Sequence, residues 1–212
     1  MIRSKYVELV ATAAAGDVDK VIELGAKTTA TNPMALVALE VVAAKESPDM
    51  RMVDALVGIG IPMSGTTYLA LEKAPGAESS MAMKHHKVMS VLVDPVSSIG
   101  KLERALAGYD PNYVNGKALS IAASRGDMAA VKLLVEMGAD PTISANALLK
   151  ATEKSHLRVA MYLVEHGWDI QECDGRIITE ALKDVSGGIA TYFQYKLGDV
   201  DLSSLEPESE YD

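Results

Sequence analysis

The chain is predicted to be all-α, a row of short helical hairpins stacked side by side in one elongated domain. Three observations predict it. Gly116 to Pro141, GKALSIAASRGDMAAVKLLVEMGADP, reads as one helix–turn–helix unit with a projecting loop. Asn146 to Asp169 repeats its events in order: Leu119 and Leu148, Ala122 and Ala151, Leu134 and Leu163, and Gly138 and Gly167 each stand 29 residues apart. Finally, the composition is 49% hydrophobic and 23% charged but only 5% aromatic. A core of Ala, Val, Leu and Met suits closely stacked helices better than a sandwich or a large mixed sheet.

Within the clearest unit, Ala118-Leu119 and Ala122-Ala123 give a first helix its apolar face. Gly126 stops that helix, since a residue without Cβ enters the left-handed conformation of a helix C-terminus. Asp127 follows, placed to accept from the free N–H groups that open the second helix. Val131, Leu134 and Val135 form the buried stripe of that helix. Gly138-Ala139-Asp140-Pro141 then turns the chain outward. Such a pair cannot bury its apolar face alone and must stack on copies of itself.

Weaker copies flank the clear ones. Ala13-Ala14-Ala15-Gly16-Asp17 with Val21 matches Ala122-Ala123, Gly126-Asp127 and Val131, and Ala107 to Asn112 reads as a helix end and loop 30 residues before Gly138. Helices are expected over Lys5–Ala15, Val18–Leu24, Pro33–Lys45, Pro48–Val57, Thr66–Lys73, Ser80–Leu92, Ser98–Ala107, Lys117–Ser124, Met128–Met137, Ala145–Glu153, His156–His166, Arg176–Val185 and Gly188–Lys196. Thirteen is odd where pairs are needed. The trouble lies between Thr66 and Gly108: either the Thr66 helix has lost its partner, or a helix has been inserted.

These units resemble ankyrin repeats. The resemblance covers Gly108 to Asp169 well and Val7 to Ala26 fairly. The family's usual Thr-Pro-Leu-His start is absent, with Lys117-Ala118-Leu119-Ser120 in its place, and the offsets of 29 and 30 imply shortened loops against the usual period of about 33. The resemblance implies an ankyrin-like solenoid over residues 1–198, with about six degenerate repeats, irregular between residues 66 and 108. An acidic, disordered tail is expected over 199–212.

Several function classes are disfavoured. The net charge is −9, and six acids with no base follow Lys196, so −6 of it sits in the tail. A basic nucleic-acid footprint is absent. The single Cys173 rules out an internal disulfide or a cysteine zinc cage and fits a reducing compartment. The N-terminus is basic and then apolar like a signal peptide, but Glu8 interrupts it, so it is read as the first helix. No membrane span is expected, since the longest uncharged run contains Pro62 and several glycines. A cytoplasmic location is expected, or the host cytosol for an effector.

No catalytic constellation, cofactor or metal site is expected. His85-His86 point about 100° apart on a helix and cannot share a metal well, and His156 and His166 lie at opposite ends of one helix. The glycines from Gly58 to Gly65 lack a phosphate loop's lysine. Six methionines between Met50 and Met89 read as irregular core filling, or else as an adaptable contact surface.

The resemblance implies a protein partner held on a concave face built from projecting loops and first helices. The residues mapped there are Tyr109, Asp110, Asn112 and Tyr113 in one loop, Asp140 and Thr142 in the next, Trp168, Asp169 and Gln171 in the third, and Ser120, Ser124 and Arg125 on a first helix. Tyr113, Trp168 and Arg125 are the expected anchors. Against this, Tyr109 and Trp168 stand where Ala139 stands and can tuck beneath their loops. Arg125 sits where a cation suits a helix C-terminus. The expected role is a non-enzymatic binding module, as in an effector or viral inhibitor of a host factor. The alternative is an acidic decoy that competes for a nucleic-acid-binding protein. The chain is expected to be monomeric, with self-association through the Thr66–Gly108 region as the other possibility.

Overall fold

The structure, a computed structural model, describes residues 2–25, 33–94, 99–144, 146–171, 175–183 and 187–198. The segment from Asp199 on, and with it the expected tail, lies outside the described residues, as does Cys173. Among those described there are thirteen helices and no strand: α1 (Ile2–Ala15), α2 (Val18–Gly25), α3 (Pro33–Ala43), α4 (Met50–Gly58), α5 (Gly65–Leu71), α6 (Met81–Val93), α7 (Ile99–Ala105), α8 (Tyr113–Ser124), α9 (Met128–Glu136), α10 (Asn146–Glu153), α11 (Leu157–Glu165), α12 (Arg176–Leu182) and α13 (Gly188–Leu197). The fold is all-α and built of helix–turn–helix repeats. One boundary moves for a clear reason: α4 begins after Pro48 because Asp49 takes the cap position, its Oδ1 accepting from Arg51 N at 3.0 Å.

The chain forms two compact units, residues Met1–Ser90 with Ala105–Val114 and residues Val91–Arg104 with Asn115–Asp212. In the first, α3 packs between α1 and α5 while α2 packs on α4, so first helices lie on first helices and second on second. Leu9, Leu39, Met52, Leu56, Ile61 and Leu71 are fully buried between them. Met50, Met52 and Met83 are buried in this core, which favours the core-filling reading at those three positions.

The odd helix count resolves here: α5 has lost its partner. Residues 72–80 form successive turns instead, with Ala74 N donating to Leu71 O, Ala77 N to Ala74 O and Ser80 N to Gly76 O. Ala77 and Ser80 are buried where a second helix is missing. Asp54 on α4 closes the gap, accepting from Ser80 Oγ and, at 2.9 Å, from Ala82 N in the first turn of α6.

In the second unit α10 packs on α11 and α12, α12 on α13, and α11 on α9 and α13. The first turn of α8 is left-handed, with φ of 55° at Val114, 53° at Asn115 and 65° at Gly116. The right-handed helix therefore begins at Lys117, which keeps the spacing of 29 to Asn146. A Cβ at Gly116 would lie 2.3 Å from Ser144 Cβ, so only glycine fits there.

The first helices end alike. The residue between first and second helix takes a left-handed conformation at Gly16, Gly126 and Ser155, with φ of 87°, 68° and 55°. Near these helix ends three side chains reach back to the last turn of the preceding first helix. Lys45 Nζ donates to Ala14 O at 2.8 Å, Arg125 Nη1 to Val93 O at 2.7 Å, and His156 Nε2 to Ser124 O at 3.1 Å. The separations are 31, 32 and 32 residues, one repeat each time. Such carbonyls have no partner within their own helix.

Ser155 is the one of the three switch residues that carries a Cβ, and left-handed φ costs an ordinary residue about 1–2 kcal/mol. Ser155→Gly should raise stability by about 0.5 kcal/mol after the added freedom of the unfolded chain is subtracted. Gly126→Ala should lower it by about 1–3 kcal/mol, because the new Cβ adds a clash with the His156 ring, 2.8 Å away, to the left-handed strain. Urea midpoints with unchanged slope are the measurement; equal midpoints for all three chains would refute it.

Candidate partner-binding surface

Each projecting loop is stiffened by its own aspartate. Asp110 Oδ1 accepts from Asn112 N at 2.9 Å, Asp140 Oδ1 from Thr142 N at 2.8 Å and Asp169 Oδ1 from Gln171 N at 2.9 Å. The same side-chain turn thus recurs at positions 30 and 29 residues apart. At Asp140 the Thr142 hydroxyl adds a bond of 2.7 Å, and these contacts hold the carboxyl below its ordinary value. The three aspartates expected to meet a partner spend acceptors on their own loop.

The residue before each aspartate is buried: Tyr109 is 4% exposed, Ala139 7% and Trp168 3%. Trp168 Nε1 donates to Ser144 O at 3.0 Å, so the indole fills the base of its loop and ties it to the preceding one. Tyr109 OH lies 2.8 Å from His85 Nδ1 and its ring stacks on that imidazole. The structure thus places Tyr109 and Trp168 beneath their loops, the second of the two positions the sequence allowed. Tyr113 is half-buried: its hydroxyl donates to Asp54 O at 2.7 Å and its ring meets His85 edge-on.

The expected helix residues also divide. Ser120 is buried and its hydroxyl bonds Gly116 O at 3.3 Å, a turn back in α8. Ser124 is half-buried and lends its carbonyl to His156. Arg125 is exposed but anchored on Val93 O. In the second unit the exposed residues at the loop tips are Thr142, Asp169 and Gln171, joined by Ile143, which sequence reading missed. Ile143 is 44% exposed at the tip beside Thr142. Its signal was available, since an apolar residue between Thr142 and Ser144 matches neither neighbouring helix stripe.

The outward positions of α8 and α10 fall in one register. Lys117 and Asn146, Ile121 and Lys150, Ser124 and Glu153, and Arg125 and Lys154 are pairs 29 residues apart, all exposed or half-exposed. The surface therefore consists of stiff loop tips beside a periodic row of first-helix side chains. Among the described residues no group of three His, Cys, Asp or Glu side chains converges as metal ligands, and no helix is long and apolar enough to cross a membrane.

Burial pushes the phenols of Tyr109 and Tyr113 well above their ordinary value, Asp110 adding repulsion at the first and Asp54 at the second. A raised phenol pKa gives stability that is present below the unfolded value of about 10 and lost as pH rises above it. The protein should thus weaken from about pH 10 upward, with part of its tyrosinate absorbance at 295 nm appearing only with loss of helix. Replacing Tyr109 and Tyr113 by Phe should reduce this delayed component. For the loop base, Trp168→Ala should cost about 3–5 kcal/mol and Trp168→Phe less, by urea denaturation. A Trp168→Ala chain as stable as the parent would place the indole outside the core.

The family model for ankyrin repeats, in three copies, matches residues 81–178. Neither the curated proteins nor the solved structures contain a match to this chain. Proteins of this repeat type are generally protein–protein interaction modules and typically not enzymes. With first helices stacked on first helices, left-handed switches between paired helices and recurrent projecting loops, the fold is a row of helix–turn–helix repeats, and over residues 81–178 it is similar to the ankyrin-repeat family.

Proposed function

We propose that the second unit binds a protein partner through the loop tips Asp140–Ile143 and Asp169–Gln171 together with the outward residues of α8 and α10. The observation that carries this is the recurrence of one stiff loop geometry. Each tip is fixed from below by a buried residue and from within by an aspartate turn, which leaves Thr142, Ile143 and Gln171 exposed on a rigid support. Contacts made by pre-ordered groups lose little entropy on association, so a small set of side chains suffices for affinity. Ile143 supplies apolar area, and Thr142 and Gln171 supply hydrogen-bonding groups at its edge. Trp168 acts here as a support rather than as a contact, and Arg125 presents the donors that its bond to Val93 O does not use.

The test compares the parent chain with a Thr142→Arg, Ile143→Asp, Gln171→Arg variant. A partner enriched by the parent and identified by mass spectrometry should be lost by the variant, with its Kd raised at least about tenfold and helical circular dichroism unchanged. Trp168→Phe should retain the partner. Equal affinity for parent and triple variant would remove this surface from consideration.

A further inference from the structure

Of the asparagines Asn32, Asn112, Asn115 and Asn146, only Asn115 is followed by glycine. The pair sits in the left-handed first turn of α8, with φ of 53° at Asn115 and 65° at Gly116. The fold asks for these two residue types. Asparagine enters the left-handed region more readily than most residues with a Cβ. Gly116 has no room for a Cβ, which would lie 2.3 Å from Ser144 Cβ. The same two types are chemically labile side by side. The Gly116 amide nitrogen, unshielded by a side chain, attacks Asn115 Cγ; the side-chain carbon–nitrogen bond breaks, and ammonia leaves with the Gly116 amide proton. The resulting succinimide is opened by water at either carbonyl, giving aspartate or isoaspartate. Asn115 is exposed, so water reaches it.

We propose that Asn115–Gly116 is a latent deamidation site, held closed by the left-handed turn, whose conversion to isoaspartate loosens the loop Asp140–Ile143. Ring closure needs Gly116 N on the same side of the Asn115 Cα–C bond as Cβ. A left-handed helical residue, with ψ of about +47°, sets that nitrogen opposite Cβ instead. Gly116 is also buried within α8. The turn is held at either end: Tyr113 OH donates to Asp54 O at 2.7 Å, and Gly116 packs on Ser144. Against this stands Val114, a β-branched residue at φ 55°, whose strain favours opening. Once isoaspartate has formed, the turn cannot close as before. The main chain then runs through Cβ and Cγ and is one carbon longer, so Gly116 leaves a fit that tolerates no added methyl group. Ser144 feels the change. Its N and Oγ donate to Asp140 O at 2.9 and 2.6 Å, and its O accepts from Trp168 Nε1 at 3.0 Å. The aspartate product keeps the original main chain and leaves these contacts intact.

The experiment holds the full chain at mildly alkaline pH, folded in buffer or unfolded in guanidinium chloride, and maps its peptides by mass spectrometry with aspartate and isoaspartate separated. In the unfolded chain Asn115 should convert faster than Asn112 and Asn146. In the folded chain its conversion should be at least about tenfold slower, since only chains with the turn open react. Tyr113→Phe, which removes one hold on the turn, should speed the folded reaction at least about threefold and leave the unfolded rate unchanged. After return to buffer, backbone amide resonances of residues 140–144 should differ from the parent in isoaspartyl chains and match it in aspartyl ones. Equal rates in the two states, an unfolded Asn115 no faster than the other two asparagines, an unchanged folded rate in Tyr113→Phe, or parent resonances in isoaspartyl chains would each overturn the proposal. No partner protein enters this assay, so its outcome is independent of the loop-tip reading.

Discussion

First helices in this chain end on carbonyls that their own backbone cannot satisfy, and the following repeat answers them. Lys45 reaches Ala14 O, Arg125 reaches Val93 O and His156 reaches Ser124 O, each across one repeat. Helices below about 12–15 residues are marginal in water, because few hydrogen bonds repay their nucleation. A helix the length of α10, which has eight residues, closes few bonds of its own, so a carbonyl left over after its terminal turn is a sizeable share of the total. Apolar stacking is non-directional and tolerates sliding, whereas a donor placed on one carbonyl does not. The bonds thus turn hydrophobic stacking into stacking with a defined register, and the recurrence of loops at near-constant intervals depends on that register.

The loops inherit their rigidity from the same logic. A residue buried at the base and an aspartate turned onto its own backbone leave the tip little freedom. The base residue varies from Tyr to Ala to Trp while the loop geometry is kept. The larger side chains carry polar atoms, and each meets a partner: Trp168 meets Ser144 O and Tyr109 meets His85. Tip identity and tip support are consequently separate variables, which lets contact residues change without loss of the fold.

Much of this was legible in the sequence. The left-handed switch at Gly126, the cap at Asp127 and the offset of 29 located α8 to α11, because glycine and aspartate act through local backbone chemistry. That α5 lacks a partner was one of two readings the sequence left open between Thr66 and Gly108. Interactions across repeats were not legible. Lys45 and His156 look like surface residues until the preceding helix end is set beside them. Ser155 hid its left-handed turn because serine gives no sign of one. Val114 did so more thoroughly, since a β-branched residue argues against that conformation. Trp168 was left between a contact and a packed residue, because large rings suit both a core and an interface and sequence does not say which side of a loop they enter. Ile143 was overlooked for the opposite reason, being an apolar residue that the fold leaves outside.

The direction of the carbonyl bonds has a consequence for how the chain is made. In each observed pair the acceptor belongs to the earlier repeat and the donor to the later one. During synthesis at about 5–20 residues per second, a first helix therefore leaves the ribosome some 2–6 s before its donor. Each nascent repeat waits with an open end for its successor. Loss of a terminal repeat is unequal in the same way: removal from the amino-terminal side strands only a donor that water can serve, while removal from the carboxy-terminal side uncovers a helix end.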